Sequence, residues 1–548
     1  MSEQVRVTVA QGALQGALSA DGVVRSFKGV PYAEPPVGAL RWRAPRPARS
    51  WAGVRPATRF GPVAPQPMLP GTSLYSGGPQ PQSEDCLYLN VWAPAEPAGA
   101  RPVLVWFHLG AFLFGSSSDS PSGTPIYDGE ALARAGAVVV TVNYRLGRLG
   151  FLAHPRLTEE APYGASGNYG LLDQVAALEW VRDNIAAFGG DPGRVTIWGL
   201  SAGSAGVSAL MTSPLARGLF HRAIGQSAGL FGPVADSVGI NDMLQDLDAA
   251  HRTGEKLATA LGARSAEDLR RLPPERLAAV HLPADRPFRM DMLPFPAGRG
   301  DFDSCWPIVD GHLLPRSPYE TFSAGEQAPV PLITGFAGNE ASSMPGLPTV
   351  EAYLADARTE YGELAERFLR LYPADTDDEA FAATATANGD RIFRWQNWTW
   401  ARLHAATHPG MTWFYQWERV PPIPPGADLA ERDPRAFHGS EIPYAFRNLH
   451  ARPWHWTRVD RDLSDALSAY WLAFAESGDP NHGDPNRGGP DRGGPDRGER
   501  PAWSPFDPER PRPLHFADRV AEAELSHRDR LDFLDDHYRR LRRRVTAR

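Results

Sequence analysis

The pentapeptide Gly199-Leu200-Ser201-Ala202-Gly203 is the segment of this sequence best suited to chemistry. It directly follows the apolar run Val195–Trp198 and precedes a further apolar stretch. This is the order of strand, sharp turn and helix in which the serine of a G-x-S-x-G motif becomes a nucleophile. The glycines let the backbone pass close to itself, so the hydroxyl can be exposed in a strained turn. We therefore predict that Ser201 is a nucleophile for acyl transfer.

A nucleophilic serine needs a histidine to take its proton and a carboxylate to orient that histidine. With this type of serine turn, the chain order is serine, acid, histidine. Glu340 follows the strand-like run Pro331–Thr334, which puts a carboxylate just past a strand end, and the segment Phe437–Tyr444 places a histidine on a loop. Order and placement fit, but spacing alone leaves five histidines open: His404, His408, His438, His450 and His455.

The tetrahedral intermediate of acyl transfer also needs hydrogen-bond donors at its oxyanion, each worth roughly 10²–10³ in rate. The backbone amide of Ala202, directly after the nucleophile, is one predicted donor. The loop after the run Val103–Phe107 supplies the others, because Gly110 permits the close approach that aims its own amide and that of Ala111 inward. We interpret His108, which begins this loop, as a structural residue of the turn.

These residues require a rigid frame, and the hydrophobic pattern predicts one. Continuous apolar runs, typical of strands buried on both faces, occur at Val103–Phe107, Ala137–Tyr144 and Val195–Trp198. Helical spacing lies between them, best over Leu171–Phe188, where Gly189-Gly190 closes the helix. Alternating strands and helices predict an α/β fold with a large, mostly parallel sheet flanked by helices.

The ends of the chain complete this organisation. Short β-type runs at Val5–Val9, Leu14–Leu18 and Val23–Val30 predict an N-terminal antiparallel hairpin region. The runs Val330–Thr334 and Met411–Trp417 predict further strands, so the stretch from about Leu230 to Pro329 is interpreted as a long helical insertion within one domain spanning residues 1–548. Residues 483–498 repeat GGPDR and predict a low-complexity surface loop.

Composition excludes several classes of function. The net charge of −8 and the isoelectric point near 6.0 leave no basic face for nucleic acid. No window approaches the roughly 18 apolar residues of a membrane span, and we expect a cytoplasmic protein. The C-terminal arginine cluster ends the helix-like stretch Leu531–Leu541, where cations complement the helix dipole, so we interpret it as structural.

The sequence contains only two cysteines, Cys86 and Cys305, which are too few for a disulfide framework. Whether these two pair with each other does not follow from the sequence. The cysteines and histidines show no spacing typical of metal ligands, so we expect neither a metal nor an organic cofactor.

Further motifs resemble those of the type-B carboxylesterase family, which includes bacterial p-nitrobenzyl esterases, animal carboxylesterases and cholinesterases. The resemblance extends over nearly the whole chain, and besides the serine turn its matching segments are Phe27–Ala33, Pro35–Gly38, Ser83–Val91, Asn143–Gly147, Gly167–Gln174, Gln226–Gly229, and Trp503–Asp507. The resemblance implies the α/β-hydrolase fold and the hydrolysis of carboxylic esters by a bacterial enzyme.

The resemblance also assigns roles to particular residues. It implies a triad of Ser201, Glu340 and His438, and so chooses among the histidines. It further implies an oxyanion hole formed by the amides of Gly110, Ala111 and Ala202. By the same likeness, two ion pairs are structural, Arg41 with Glu84 and Arg145 with Asp173. Ser227 is implied to support the acid of the triad.

Four positions differ from the family pattern. Leu200 replaces the usual glutamate before the serine, and no tryptophan lies between Trp51 and Trp92, where cholinesterases hold a quaternary ammonium group by cation–π attraction. Both differences argue against choline esters. Leu109 replaces a glycine and is expected to narrow or reshape the oxyanion loop. Ala64 occupies the position of an early cysteine, so the usual loop disulfide is absent, which fits a reducing compartment.

The aromatic content of 10% together with Leu200 predicts a small-molecule ester substrate that is neutral and apolar or aromatic. The oligomeric state does not follow from the sequence. A carbamate or amide hydrolase, or an acyltransferase, would use the same triad and remains an alternative. A non-enzymatic, cholinesterase-like binding protein is a further alternative, although such proteins typically lose the nucleophile that is present here.

Overall fold

The computed structural model describes residues 4–71, 73–96, 99–235, 244–282, 304–427, 434–483 and 500–546. Apart from Gly483, the predicted low-complexity loop lies outside the described residues. The two parts of the central stretch that are described contain short helices and two short strands, as expected of an insertion between sheet elements.

A large central sheet organises the chain. Thirteen of the described strands form it, in the spatial order β1-β2-β3-β5-β7-β6-β8-β9-β12-β13-β14-β15, with β4 beside β2, and β10 pairs with β11 elsewhere. The strands are β1 Gln4–Val9, β2 Gly12–Leu18, β3 Val24–Pro31, β4 Val54–Pro56, β5 Tyr88–Pro94, β6 Arg101–Phe107, β7 Val138–Val142, β8 Gly190–Leu200, β9 Arg222–Gln226, β10 Gln245–Asp246, β11 Ile308–Val309, β12 Leu332–Ala337, β13 Thr412–Trp417, β14 Leu514–Phe516 and β15 Val520–Glu522.

The sheet is parallel in its centre and antiparallel at its N-terminal side, as predicted. Strands β7, β6, β8, β9, β12, β13 and β14 form a continuous run in which each adjacent pair is parallel. The pairs β1–β2, β2–β3 and β3–β5 are antiparallel. The central strands are mostly apolar because helices cover both faces of the sheet; every residue of β7 and β12 is buried.

Helices connect and flank these strands. They are α1 Glu130–Arg134, α2 Gly147–Phe151, α3 Pro155–Glu160, α4 Tyr169–Asn184, α5 Ala202–Thr212, α6 Leu247–Ala260, α7 Ala266–Arg271, α8 Pro274–Ala279, α9 Pro318–Ser323, α10 Val350–Tyr361, α11 Ala365–Leu371, α12 Asp377–Gly389, α13 Trp395–Thr407, α14 Ile442–Ala445, α15 Arg458–Ser477 and α16 Arg528–Thr546. The helix predicted over Leu171–Phe188 is α4 followed by a 3₁₀ turn, and Gly189 ends it at φ 82°.

The structure contains both ion pairs that the family resemblance implied. Arg145 donates through Nε and Nη2 to both carboxylate oxygens of Asp173, at 2.8 and 2.7 Å, and both side chains are buried. Arg41 donates through Nε to Glu84 Oε1 at 2.6 Å. Both pairs are bidentate forks, which add geometric specificity to the charge attraction.

The remaining structural predictions concern the C-terminal arginines, the cysteines and the membrane. The arginines lie on α16, where Arg539 pairs with Asp536 and Arg540 with Glu363, so part of the cluster is engaged within the protein.

Cys86 and Cys305 are both buried, and they form no disulfide with each other. Among the described helices, none is long and apolar enough to cross a membrane.

Parallel pairing places four chain segments at one edge of the sheet. The carboxyl ends of parallel strands meet at the same edge, where open α/β sheets bind their ligands. Ser201 follows β8, the loop from His108 follows β6, and Glu340 follows β12. The loop with His438 lies in the connection after β13. The predicted site residues therefore share this edge.

Candidate active site

Ser201 lies in a strained turn between β8 and α5. Its φ of 57° and ψ of −123° belong to a region that residues other than glycine rarely adopt. A β-carbon added at Gly203 would lie 2.0 Å from the carbonyl oxygen of Phe107, and one at Gly199 would lie 2.4 Å from the carbonyl carbon of Gly203. Both glycines are therefore required by close backbone approach, and the turn holds the start of α5 against the end of β6.

Glu340 and His438 are adjacent because the residues before them pair. A parallel β-bridge joins Asn339 to Phe437. His438 Nδ1 lies 2.6 Å from Glu340 Oε2, and the amide of Ala337 donates to Glu340 Oε1 at 2.8 Å. Glu340 is 1% exposed and His438 is 2% exposed, so this hydrogen bond is shielded from water. The carboxylate is thus placed to hold the imidazole in one tautomer.

Two aromatic side chains position the imidazole of His438. The Tyr75 hydroxyl donates to the carbonyl oxygen of His438 at 3.0 Å. The ring of Phe393 stacks on the imidazole with centroids 4.1 Å apart. Phe393 belongs to a π-helical turn, Asp390–Arg394, and such turns often occur at functional sites. The histidine is therefore fixed through its backbone, one ring nitrogen and one ring face.

The Ser201 hydroxyl and the His438 ring do not share a hydrogen bond in the described part of the chain. Their loops nevertheless lie side by side. A β-carbon at Gly439, the residue after His438, would be 3.6 Å from Leu200 Cδ2 and 3.7 Å from Leu109 Cδ2. Catalytic hydrogen bonds are often long before substrate binds and tighten in the complex.

The loop after β6 supplies unpaired amides beside the serine turn. Ala111 and Phe112 have φ values of 52° and 56°, and a β-carbon at Gly110 would lie 1.9 Å from the carbonyl oxygen of Phe114. Among the described residues, the amides of Gly110, Ala111 and Ala202 donate to no protein acceptor. Three free donors near a nucleophile can stabilise an oxyanion.

His108 is buried within this loop. Its Nδ1 lies 2.8 Å from the carbonyl oxygen of Leu109, and its ring stacks on Tyr144 with centroids 4.4 Å apart. Burial lowers the pKa of His108 to about 4, so the imidazole is neutral at physiological pH. A neutral, stacked ring fits the structural role predicted from the sequence.

The structure does not pair Ser227 with the acid. Ser227 follows β9 at φ 49°, and its amide donates to the carbonyl oxygen of Gly335 at 2.8 Å. The hydroxyl is buried and has no hydrogen-bond partner among the residues that the structure describes. The support expected from this hydroxyl comes instead from the amide of Ala337, because that amide lies within the same turn as Glu340.

A second buried carboxyl group, Glu441, lies behind the histidine. Its Oε1 accepts hydrogen bonds from Gln226 Nε2 and from the Tyr415 hydroxyl, both at 3.3 Å, while Oε2 has no partner. Burial and, to a smaller extent, the negative charge of Glu340 raise the pKa of Glu441 to about 8. The side chain therefore favours its neutral form at pH 7.

A narrow cleft opens on the His438 side of the site. Its empty space is about 470 Å³, part of which is open to solvent. Side chains and loop backbone line it: Leu74, Tyr75, Leu109, Asp119, Ile126, Tyr127, Phe437, His438, Gly439, Ser440, Ile442, Pro443, Arg452 and Trp454. Most of the lining is apolar or aromatic, and Asp119 and Arg452 are the charged exceptions.

The other candidate histidines lie apart from the acid. His404 is buried in α13 with Nδ1 2.7 Å from Thr412 Oγ1, and burial lowers its pKa to about 3. His408 stacks on the His404 ring. His450 lies in the 3₁₀ turn Leu449–Ala451, and His455 is exposed. Of these five histidines, only His438 contacts Glu340.

Sequence reasoning missed several residues of this site. Glu441 stands three residues after His438, yet nothing in its spacing indicates burial. Tyr75 and Phe393 come from distant segments, and their contact with His438 is tertiary. Arg452 carries no local motif. In the described part of the chain, no group of three or more His, Cys, Asp or Glu side chains is placed to hold a metal ion.

Comparison with known families and curated proteins gives a consistent result. A profile described as the carboxylesterase family matches residues 3–533. Fumonisin B1 esterase of Sphingopyxis macrogoltabida is 38% identical over 486 residues, covering 86% of this chain and 81% of that protein. Para-nitrobenzyl esterase of Bacillus subtilis is 36% identical over 493 residues, covering 88% of this chain and 91% of that protein.

Solved structures show the same likeness. A structure of a PNB esterase superposes with a TM-score of 0.75 at 31% identity and covers 96% of this chain and 99% of that one. A thermophilic PNB esterase gives a TM-score of 0.76 at 29% identity with the same coverage. The central sheet and its flanking helices are thus those of an α/β-hydrolase fold.

Proposed function

This chain belongs to the carboxylesterase family and is a carboxylic ester hydrolase, and from that premise we propose that it cleaves esters through an acyl-enzyme on Ser201. Ser201 is the nucleophile, His438 is the general base and then the general acid, and Glu340 orients the imidazole. The contact that carries this proposal is the 2.6 Å hydrogen bond between His438 Nδ1 and Glu340 Oε2, at the sheet edge that carries Ser201.

In the first half-reaction, the Ser201 hydroxyl oxygen attacks the ester carbonyl carbon while His438 Nε2 accepts the hydroxyl proton. The carbonyl π electrons move onto oxygen, and the amides of Gly110, Ala111 and Ala202 donate hydrogen bonds to that oxyanion. The imidazolium is stabilised by Glu340. Collapse of the intermediate breaks the bond to the alcohol, which leaves with the proton from His438.

In the second half-reaction, water replaces the alcohol. His438 Nε2 takes a proton from water as the water oxygen attacks the acyl carbon. The same amides stabilise the second oxyanion, and collapse releases the carboxylic acid and returns the proton to Ser201. No step needs a metal or an organic cofactor.

The lining of the cleft supports an apolar or aromatic ester as substrate. Leu109 and Ile442 give aliphatic surface, and Tyr127, Phe437 and Trp454 give aromatic surface. Leu200, buried beside Gly439, places no anion near the reacting centre, which disfavours a cationic alcohol. The sequence also predicts that the substrate is neutral. The cleft contains the cationic side chain of Arg452, however, which favours a negatively charged group on the substrate.

The proposal extends to the organisation of the chain. Strands near both ends, β1 and β15, belong to the same sheet, which supports one domain over residues 1–548. Two buried cysteines that form no disulfide with each other, Cys86 and Cys305, support a reducing, cytoplasmic location in a bacterial cell.

The test is hydrolysis of short-chain p-nitrophenyl esters by the purified protein. Ser201→Ala should lower kcat by about 10⁴- to 10⁶-fold, because removing one triad member disables the whole unit. Ser208→Ala on α5 is the matched control, since its hydroxyl only donates to the carbonyl oxygen of Ala205 at 2.7 Å within the helix. Its kcat should stay within about twofold of wild type.

Mass spectrometry of the protein during turnover should find the acyl group on Ser201. A folded wild-type protein that releases no p-nitrophenol would overturn the proposal. Equal turnover by wild type and Ser201→Ala would overturn the assignment of the nucleophile.

A further inference from the structure

A guanidinium group faces the cleft beside His438. Arg452 follows the 3₁₀ turn Leu449–Ala451, and its Nη2 donates to the carbonyl oxygen of Leu74 at 2.6 Å. The guanidinium also lies over the ring of Trp454, 5.1 Å from the centroid. Within the described residues, no acceptor pairs with its Nε or Nη1, and neither atom is fully buried. Two donors are therefore available to a ligand.

No carboxylate pairs directly with this cation. Asp119 is the acidic side chain that shares the cleft, but within the described residues no N–O distance of 4 Å or less joins it to Arg452. Asp119 Oδ1 instead accepts from Ser116 Oγ at 2.6 Å and from Gln80 Nε2 at 3.3 Å. Oδ1 of Asp119 is therefore already engaged by polar side chains, and the carboxylate acts on Arg452 only as a nearby charge.

The surroundings make this cation costly unless an anion joins it. Burial lowers the pKa of Arg452 and raises the pKa of Asp119 to about 6. The tyrosines Tyr75 and Tyr127 are the other polar neighbours. A mostly desolvated guanidinium with one backbone acceptor gains more from a second, charged acceptor than a solvated one would.

The position of His438 indicates which part of a substrate lies in this cleft. In the proposed reaction His438 delivers a proton to the departing alcohol, so the alcohol portion of the ester lies on the His438 side. Leu200, behind Gly439, adds no negative charge there. The charged side chains that meet the alcohol portion are therefore Arg452, with free donors, and Asp119, which is already hydrogen-bonded.

We propose that Arg452 is a specificity-determining residue that binds an anionic group, a carboxylate, on the alcohol portion of the ester. This inference rests on the proposed function, because it assumes that His438 protonates the leaving alcohol. The guanidinium presents Nε and Nη1 to the ligand while Nη2 stays on Leu74. An aryl ester with a carboxylate on its phenol ring combines the apolar and anionic features of the cleft.

The experiment compares two classes of aryl acetate that have the same acyl group. The 3- and 4-acetoxybenzoates carry a carboxylate on the alcohol portion, and the corresponding acetoxybenzamides are neutral and similar in shape. Arg452→Gln should lower kcat/KM for the acetoxybenzoates by about 10- to 100-fold, mainly through a higher KM. For the acetoxybenzamides the change in kcat/KM should be less than about threefold. The ratio of kcat/KM between the two classes of substrate therefore isolates the effect of the substrate carboxylate.

Two further variants separate charge from structure. Arg452→Lys should keep part of the preference, because it retains the charge but loses the planar fork. Arg458→Gln removes a charge that is 93% exposed from the same segment, and it should leave the substrate ratio unchanged. These results would exclude an effect of net charge on substrate attraction.

A purely structural role gives a different pattern. Arg452 holds the backbone of Leu74, next to Tyr75, which in turn contacts His438. If that were its only role, Arg452→Gln would lower kcat/KM equally for the benzoates and the benzamides, and the inference would be wrong. Phenyl hydrogen succinate has its carboxylate on the acyl side. If Arg452→Gln lowered kcat/KM for this ester but not for the acetoxybenzoates, the inference would also be wrong.

The failures of the two proposals are distinguishable. Wild type that hydrolyses neither class of acetate contradicts the esterase mechanism itself. Wild type that hydrolyses both classes, with no change in their ratio in Arg452→Gln, contradicts only the role of Arg452.

Discussion

The two halves of the site are built differently. The serine turn and the loop after β6 are shaped by backbone: Ser201, Ala111 and Phe112 have positive φ, and Gly110 and Gly203 leave no space for a β-carbon. The cleft wall is shaped by side chains: Leu109 projects into it from the loop after β6, and Arg452 and Trp454 project from a segment that is distant from that loop in sequence. The chemistry depends on positions that accept almost no other residue, whereas recognition depends on positions where side chains can change without moving the backbone.

That difference predicts different mutational tolerance on the two sides. A β-carbon in the backbone-shaped half must displace main chain that also carries the nucleophile or the oxyanion donors. A new side chain in the wall only changes the surface that a substrate meets. We therefore expect large losses for any substrate on the first side and substrate-dependent effects on the second.

Gly203→Ala should produce the largest effect. The new methyl group would lie 2.0 Å from the carbonyl oxygen of Phe107, so α5 and Ser201 must shift. We expect kcat/KM to fall about 100-fold or more and Tm to fall by several degrees. Esterase assays and thermal unfolding measure both. Gly71→Ala is the control, because a β-carbon there meets nothing within 4 Å. Equal losses of kcat/KM and Tm in the two variants would contradict the conclusion that close backbone approach shapes this half of the site.

Glu441→Gln should show that the buried carboxyl group behind His438 makes the folded protein less stable at high pH. The folded protein holds a proton on Glu441 up to a pKa of about 8, whereas an unfolded glutamate releases it near the ordinary value of 4.5. Folding therefore takes up a proton between these values, and the stability contributed by Glu441 is present below about pH 4.5 and falls as the pH rises to about 8.

Glutamine has no proton to take up, so Glu441→Gln should gain stability relative to wild type as the pH rises. The difference in Tm should be smallest near pH 4.5 and grow to several degrees at pH 8. Thermal unfolding across this range is the measurement. The exposed Glu509→Gln is the control and should give a difference that does not grow. A flat difference for Glu441→Gln would mean that this carboxyl group is ionised throughout.

Leu109→Gly should produce the smallest effect, on the side-chain half. Leu109 has no positive φ, so the leucine itself imposes no left-handed strain, but its side chain lines the cleft. Removing it should widen the cleft and raise kcat a few-fold on short p-nitrophenyl esters, with Leu109→Ala intermediate. Unchanged or reduced turnover would show that Leu109 does not narrow the oxyanion loop.

Much of the frame could be predicted because its signals are local. Strands β6, β7 and β8 are continuous apolar runs, α4 has helical spacing, and Ser201 lies in a short motif whose neighbours define it. Glu340 needed only its position after a strand. His438 could not be chosen from spacing, because loops after strands vary in length and several histidines satisfied the same order. Only resemblance to a family distinguished it.

The sequence by itself determined the order of strands and helices, and it identified the candidate nucleophile and the glycines around it, since periodicity and turn geometry act over a few residues. Only the tertiary structure decided that the amide of Ala337, rather than the hydroxyl of Ser227, holds Glu340. It also decided that Glu441 is buried and that Arg452 meets His438 in one cleft. Burial, pKa and cleft walls depend on which distant segments pack together, and no local pattern encodes that packing.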